Sequence, residues 1–480
     1  MTPAQTTPDP LDPAGLRGDA PLFDAYLRAI SERRTPFIIP GHKGRRDLIG
    51  DLAAWDSPLY GGVVDVKQRG GYLDEAERRA ARAWGADLAR FSVGGSTHGN
   101  QAVALAVCGP GDRVIVPRTL HRSLLSALVL TGAEPVWVQP RIDTATGLPK
   151  GVAADQIEAA FAEAPGAVAV FTADPGYIGT MGETAAIAEV AHGRGAPLIV
   201  DAAWAGHFGF SSALPPHALA LGADAMVTSV HKALPGAGQA ALILARTERI
   251  DPARFAAAVE STMTTSPSGA IMASIDAARA LLERDGERLG RELVALVDSA
   301  RRRLSAIEGL VVLDGPDVDP AKLVLVLAGT GADGIAIERD LLDRGMALEM
   351  ADRDTLIAMI THADTEAEVD ALVTAVSESV QERRGTSRPV VGAASWTVDP
   401  QMVAPPREAF FAPHEVVAAD RAIGRVSAEL IAPYPPGVPV LAPGERITAE
   451  ALDSLRAARA AGTRIAYASN PQLHSLRVLR

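Results

Sequence analysis

ADAMVTSVHKALPGAGQAALILA, residues 223–245, is the stretch from which the rest of the chain is read. An apolar run ends at Ser229, a histidine and Lys232 follow, and a Gly-rich stretch leads into a second apolar run. A lysine at a turn between two apolar strands is held near the mouth of a sheet. Burial there disfavours its ammonium form. A depressed amine is a nucleophile able to form an imine. Taken alone, Ser-x-His-Lys carries little weight.

Outward from that stretch, short apolar runs recur: RVIVP (113–117), PVWVQ (135–139), AVAVFT (167–172), PLIVD (197–201), AMVTS (225–229) and AALILA (240–245). Helical pieces such as IEAAFAEA (157–164) and ETAAIAEVAHGRG (183–195) lie between them. This alternation predicts an α/β fold with a mostly parallel sheet and helices on both faces. In such sheets the chemistry gathers beyond the C-terminal ends of the strands. A long helical stretch at 271–307 leads into a smaller α+β unit containing KLVLVLAG (322–329) and IAMITHA (357–363). The Pro-rich, aperiodic segment 383–406 reads as a linker. The expected division is an N-terminal leader and arm at 1–73, a large domain at 74–305, a small α+β domain at 306–385, and a linker with a C-terminal domain at 386–480. Within the arm, PLFDAYLRAISERR (21–34) reads as an amphipathic helix.

The length of 480 residues exceeds one compact core. A net charge of -12 and the lack of a basic stripe argue against nucleic acid as a partner. The single cysteine, Cys108, permits no intramolecular disulfide and no Cys-based zinc site, and no metal is expected. The Pro-rich start, MTPAQTTPDPLDPAG, has no basic or apolar signal region and is expected to be a disordered leader. No apolar run approaches the roughly 18 residues needed to span a bilayer. A cytoplasmic protein is expected.

Two further features join Lys232. In FSVGGSTHGNQAVALAV (91–107) a strand enters a Gly-rich turn and a helix leaves it. The helix start favours an anion, and Ser96 and Thr97 add hydroxyl donors. An ordinary capped turn reads the same way. In PLIVDAAWAGHFGF (197–210) an apolar strand ends at Asp201, whose carboxylate at the sheet mouth needs a partner. A cationic ring nitrogen is one such partner, and an N-cap or salt bridge is another. Trp204 and His207 are ambiguous. Together, an anion cradle, an acid and an imine-forming lysine are what pyridoxal 5′-phosphate (PLP) requires.

These residues resemble the Orn/Lys/Arg decarboxylase family of PLP enzymes, with the aspartate-aminotransferase-like fold (fold type I), over about residues 35–447. The resemblance is carried by TPFIIPGHKG (35–44), GGSTHGN (94–100), LHRSLLSAL (120–128), DAAW (201–204), SVHK (229–232), TTSPSGAIMASIDAAR (264–279), LEMADRDTLIAMI (348–360) and GRVSAELIAPYPPGVPVLAPGE (424–445). It implies that Lys232 forms the imine, Asp201 pairs with the pyridinium nitrogen, His121 stacks on one ring face and Ala203 packs on the other. Ser96, Thr97, Ser229 and His231 would surround the phosphate, with Trp204 beside the cofactor. It also implies a homodimer, with the Thr264–Thr265–Ser266 stretch contributing to the neighbouring site. The chain resembles the shorter form, without an N-terminal receiver-like domain. His98, the segment GGVVDVKQRGG (61–71), and Asp174 in DPGYIGTMGE (174–183) depart from the family pattern.

The implied reaction is α-decarboxylation of a basic amino acid: arginine, lysine or ornithine. Its far end needs a polar acceptor, for which Glu349 and Asp352 are candidates beside Thr265 and Ser266. A solvated loop carboxylate explains Glu349 and Asp352 equally well. An aminotransferase or β/γ-lyase on the same fold, and a catalytically silent PLP-binding paralogue, remain alternatives.

Overall fold

The computed structural model describes residues 10–32, 37, 39–56, 70–390, 394–434 and 437–480. Residues 1–9 of the expected leader and 61–69 of the divergent segment lie outside the described residues. So do 35, 36 and 38 of the first motif, 391–393 of the expected linker, and 435 and 436 of the last motif.

Seven strands form the central sheet: β1 (Leu88–Ser92), β2 (Arg113–Pro117), β3 (Glu134–Val138), β4 (Ala169–Ala173), β5 (Leu198–Asp201), β6 (Ala225–Ser229) and β7 (Ala241–Ala245). Their order is β1-β7-β6-β5-β4-β2-β3. Pairing is parallel from β3 through β6, and β7 runs antiparallel to both β6 and β1. Each of the six apolar runs supplies a strand. Both β6 and β7 are buried along their whole length, as strands covered on both faces must be. Successive side chains serve different cores: Leu242 and Leu244 join one, Ile243 and Ala245 the other. Helices pack on each face.

The helix Gly95–Val107 lies directly on β6 and β7, and glycine permits that approach. A Cβ at Gly99 would stand 2.5 Å from the Val227 side chain. Gly95 opens this helix at φ +67, a left-handed conformation suited to glycine.

The helix Gly269–Leu304 spans 36 residues. It places Met272, Ile275 and Leu282 in the large core, and Leu293, Val297 and Leu304 in a second core. That second core covers an antiparallel sheet of β8 (Val311–Val312), β9 (Lys322–Val326), β10 (Met350–Ala351) and β11 (Thr355–Met359), in the order β10-β11-β9-β8. A third core, with Ile431, Leu441, Leu452 and Leu476, belongs to the C-terminal region. It is fastened to the central sheet by a buried ion pair between Arg118, just beyond β2, and Glu445. Arg118 also donates to the Val440 carbonyl at 3.1 Å and lies over the Trp137 ring. The segment expected to be a linker is tied down at Arg388, which bonds Asp354 and the Gly331 and Ala332 carbonyls. No helix among the described residues is long and apolar enough to cross a membrane.

Candidate active site

Six strands, β1 to β6, end on one edge of the central sheet, and the candidate residues collect there. Asp201 closes β5 and stands in register with Ala173 and Val227. Its Oδ2 accepts from Asn100 Nδ2 at 2.7 Å, and its Oδ1 accepts from the Ala203 N–H at 3.2 Å. Asn100 also donates to Ser123 Oγ at 2.9 Å. His121 caps the helix Arg122–Thr131, and its Nδ1 accepts from the Ser123 N–H at 3.2 Å. Burial by its neighbours lowers its pKa, with Asp201 raising and Lys232 lowering it.

Lys232 sits on the short helix Val230–Ala233, directly after β6. Its Nζ lies 3.8 Å from the centroid of the Trp204 ring. Burial holds the amine below its usual value, while Asp201 and Glu349 act to raise it. An amine, an acid and an imidazole thus share one electrostatic neighbourhood.

At the expected phosphate end, Ser96 is buried and Thr97 exposed at the start of the helix Gly95–Val107. Ser229 is fully buried, and its hydroxyl has no partner among the described residues. His231 points Nδ1 at the Ala240 carbonyl, 2.9 Å away. An unpartnered buried hydroxyl is costly unless a ligand satisfies it. Together with the helix start, the carboxylate and the half-buried amine, it fits PLP.

Residues 20–331 match the model of the Orn/Lys/Arg decarboxylase major domain, and residues 392–465 match that of its C-terminal domain. The chain belongs to the Orn/Lys/Arg decarboxylase family. It is 33% identical to an arginine decarboxylase of Halalkalibacterium halodurans, over 96% of this chain and 97% of that relative. It is 31% identical to an arginine decarboxylase of Bacillus subtilis, over 96% and 98% respectively. Among solved structures, lysine decarboxylase A of Pseudomonas aeruginosa superposes with a TM-score of 0.82 at 21% identity, covering 97% of this chain and 81% of that one. That likeness shows the shared fold.

Other residues of this family member fall into two groups. Ala203 and Trp204 are buried beside Asp201. Glu349 is exposed and accepts from Tyr177 Oη at 3.0 Å. Asp352 instead accepts from the N–H groups of Asp354 and Thr355, at 2.9 and 2.7 Å, and holds a turn. Thr265 and Ser266 are exposed ahead of the long helix. His98 turns to Ser92 Oγ at 2.7 Å and to the Val259 carbonyl. Asp174 accepts from the Gly182 N–H and from Thr184, and burial raises it to about 6.

Three residues at the site escaped the sequence reading. Asn100 had a readable signal, since it lies four residues after Ser96 on one helix face. Tyr177 packs edge-on to Trp204, with ring centroids 5.6 Å apart. Lys322 is fully buried, and its Nζ lies 3.9 Å from the same Trp204 centroid. Its signal was a charge opening an otherwise apolar strand.

Proposed function

We propose that this chain is a PLP-dependent decarboxylase of a basic amino acid, with arginine as its preferred substrate. The observation that carries this reading is the gathering of Lys232, Asp201 and His121 at one sheet edge in a chain of this family. Arginine is favoured over lysine by relatives of nearly equal length named arginine decarboxylase, at 30–33% identity. Relatives named lysine decarboxylase are 22–26% identical.

PLP, when bound, supplies a sink for the electron pair left on Cα as CO2 departs. Lys232 Nζ would hold the cofactor at its aldehyde, and burial keeps the amine nucleophilic. The Asp201 carboxylate, fixed by Asn100 and the Ala203 N–H, would hold a proton on the cofactor ring nitrogen. His121 and Ala203 hold the ring plane. Ser96, Thr97, Ser229 and His231 bind the phosphate. Lys232 Nζ returns the proton to Cα. Glu349 is the remaining carboxylate that influences Lys232, and it faces the substrate cation; Asp352 is engaged in its turn.

The reading includes a cytoplasmic homodimer with Thr265 and Ser266 at the neighbouring site. It is supported by the exposure of those two residues and by the exposed Phe410–Phe411 pair. The test is to load the protein with PLP, offer arginine, lysine and ornithine, and follow CO2 and amine together. CO2 and the matching amine, fastest from arginine, are expected. A keto acid formed without CO2 would point to an aminotransferase instead.

A further inference from the structure

Loss of CO2 breaks the Cα–carboxylate bond and leaves its electron pair on Cα. One proton, ultimately from solvent, then forms the Cα–H bond. The site therefore needs a group that takes in protons. Lys232 alone meets this need poorly, because the same amine must be neutral to form its imine.

Lys322 reaches the site from the small sheet. Its side chain is fully buried, and its Nζ donates to the Tyr177 carbonyl at 2.5 Å. It stands over the indole that Lys232 also faces, at 3.9 Å against 3.8 Å. Two ammonium ions at one buried indole repel each other. Burial lowers Lys322 to about 7; Lys232 pushes the same way, while Asp319 and Glu349 oppose. Arg301 is turned away, bonding the Asp319 and Lys322 carbonyls. His207, from the loop carrying Trp204, is buried without a partner among the described residues on either ring nitrogen, and Lys322 contributes to keeping it neutral. Tyr177 is held protonated by burial and by Glu349.

We propose that Lys322 is the proton-holding partner of Lys232: the two amines carry one positive charge between them at the Trp204 ring, and Lys322 takes up a solvent proton when Lys232 gives its own to Cα. Over one cycle one C–C bond breaks, one Cα–H bond forms and one proton enters from solvent. The delivery role rests on the decarboxylase reading; the shared charge does not.

The shared charge is tested first on PLP-free protein. Acetylation of each lysine is followed by mass spectrometry across a pH series. Lys322 should ionise near neutral pH in the wild type, and about one unit higher in Lys232→Met. An unchanged Lys322 titration overturns the pairing, whatever reaction the protein performs. The delivery role is tested on the loaded enzyme with Lys322→Met and Lys322→Arg. Both should lower kcat on the order of 10²-fold, with KM and PLP affinity near wild type and the neutral-pH limb of the kcat profile lost. Added small primary amines should restore turnover to Lys322→Ala. A purely structural lysine would give the opposite pattern, with turnover restored by arginine and not by free amines, and that result overturns the delivery role. Wild-type protein that evolves no CO2 overturns the decarboxylase reading and the delivery role with it, leaving the apo titration to judge the pairing.

Discussion

The two walls of the site are built differently. On the sheet wall the Asp201 network is tied together: Asn100 and the Ala203 N–H hold the carboxylate, and Ser123 joins Asn100 to His121. The wall formed with the small sheet leaves both His207 nitrogens and His362 Nε2 buried without partners among the described residues. Ser229, at the proposed phosphate end, is in the same condition. A buried group left unpaired costs about 1–3 kcal/mol. At this site such groups are open to completion by a ligand or a proton. The satisfied wall is therefore the fixed frame, and the unsatisfied groups mark where matter arrives.

The largest expected effect lies where the two walls meet. Lys232 faces Asp201 electrostatically on one side and shares the Trp204 ring with Lys322 on the other. Lys232→Ala should reduce turnover on the order of 10⁴-fold with an unchanged circular dichroism spectrum. The satisfied wall holds itself together without this amine. A variant keeping a tenth of wild-type turnover would remove Lys232 from the chemistry. A variant that unfolds would make it part of the frame.

The sheet wall was the legible one. Apolar runs ending at Asp201 and Ser229 placed both residues at one edge, because strands buried on both faces read as unbroken apolar sequence. The reversed direction of β7 was not in its composition; the short 230–240 connection leaves too little chain for a parallel crossover. The other wall was hard to read because its parts come from distant segments. Tyr177 and Lys322 are 145 residues apart and meet only when the small sheet folds against the large domain. Glu349 and Asp352, three residues apart, looked equivalent until one was seen to face Tyr177 and the other its own turn.

The unsatisfied wall should also be visible in stability. Burial drives His207 down to about 3, with His362 and Lys322 adding to the effect, while in the unfolded chain it titrates near its ordinary value of about 6.5. The folded value is the depressed one. The contribution of the neutral ring is therefore complete above about pH 6.5 and is lost as pH falls toward 3. Between pH 7 and 5 the loss is about 2 kcal/mol. Glu77 and Asp174, raised by burial to about 7 and about 6, act in the opposite direction. The wild-type slope alone is thus uninformative. Urea unfolding of His207→Leu and wild type at pH 7 and pH 5 isolates the histidine. The variant should lose about 2 kcal/mol less, and equal losses would mean that His207 finds a partner in solution.

The smallest effect makes the sharpest comparison. Ser229→Ala removes a hydroxyl that no group among the described residues satisfies, so PLP-free protein should unfold at the same urea concentration or slightly above it. PLP should then bind about fivefold more weakly, the worth of one hydrogen bond near 1 kcal/mol. Asn100→Ala should do the reverse to the PLP-free protein, because it strips Asp201 and Ser123 of a bond already made. Measured together by urea unfolding and PLP titration, the two variants separate a group awaiting a ligand from a group holding the frame. If Ser229→Ala destabilises the PLP-free protein as much as Asn100→Ala does, the two walls are alike and the distinction fails.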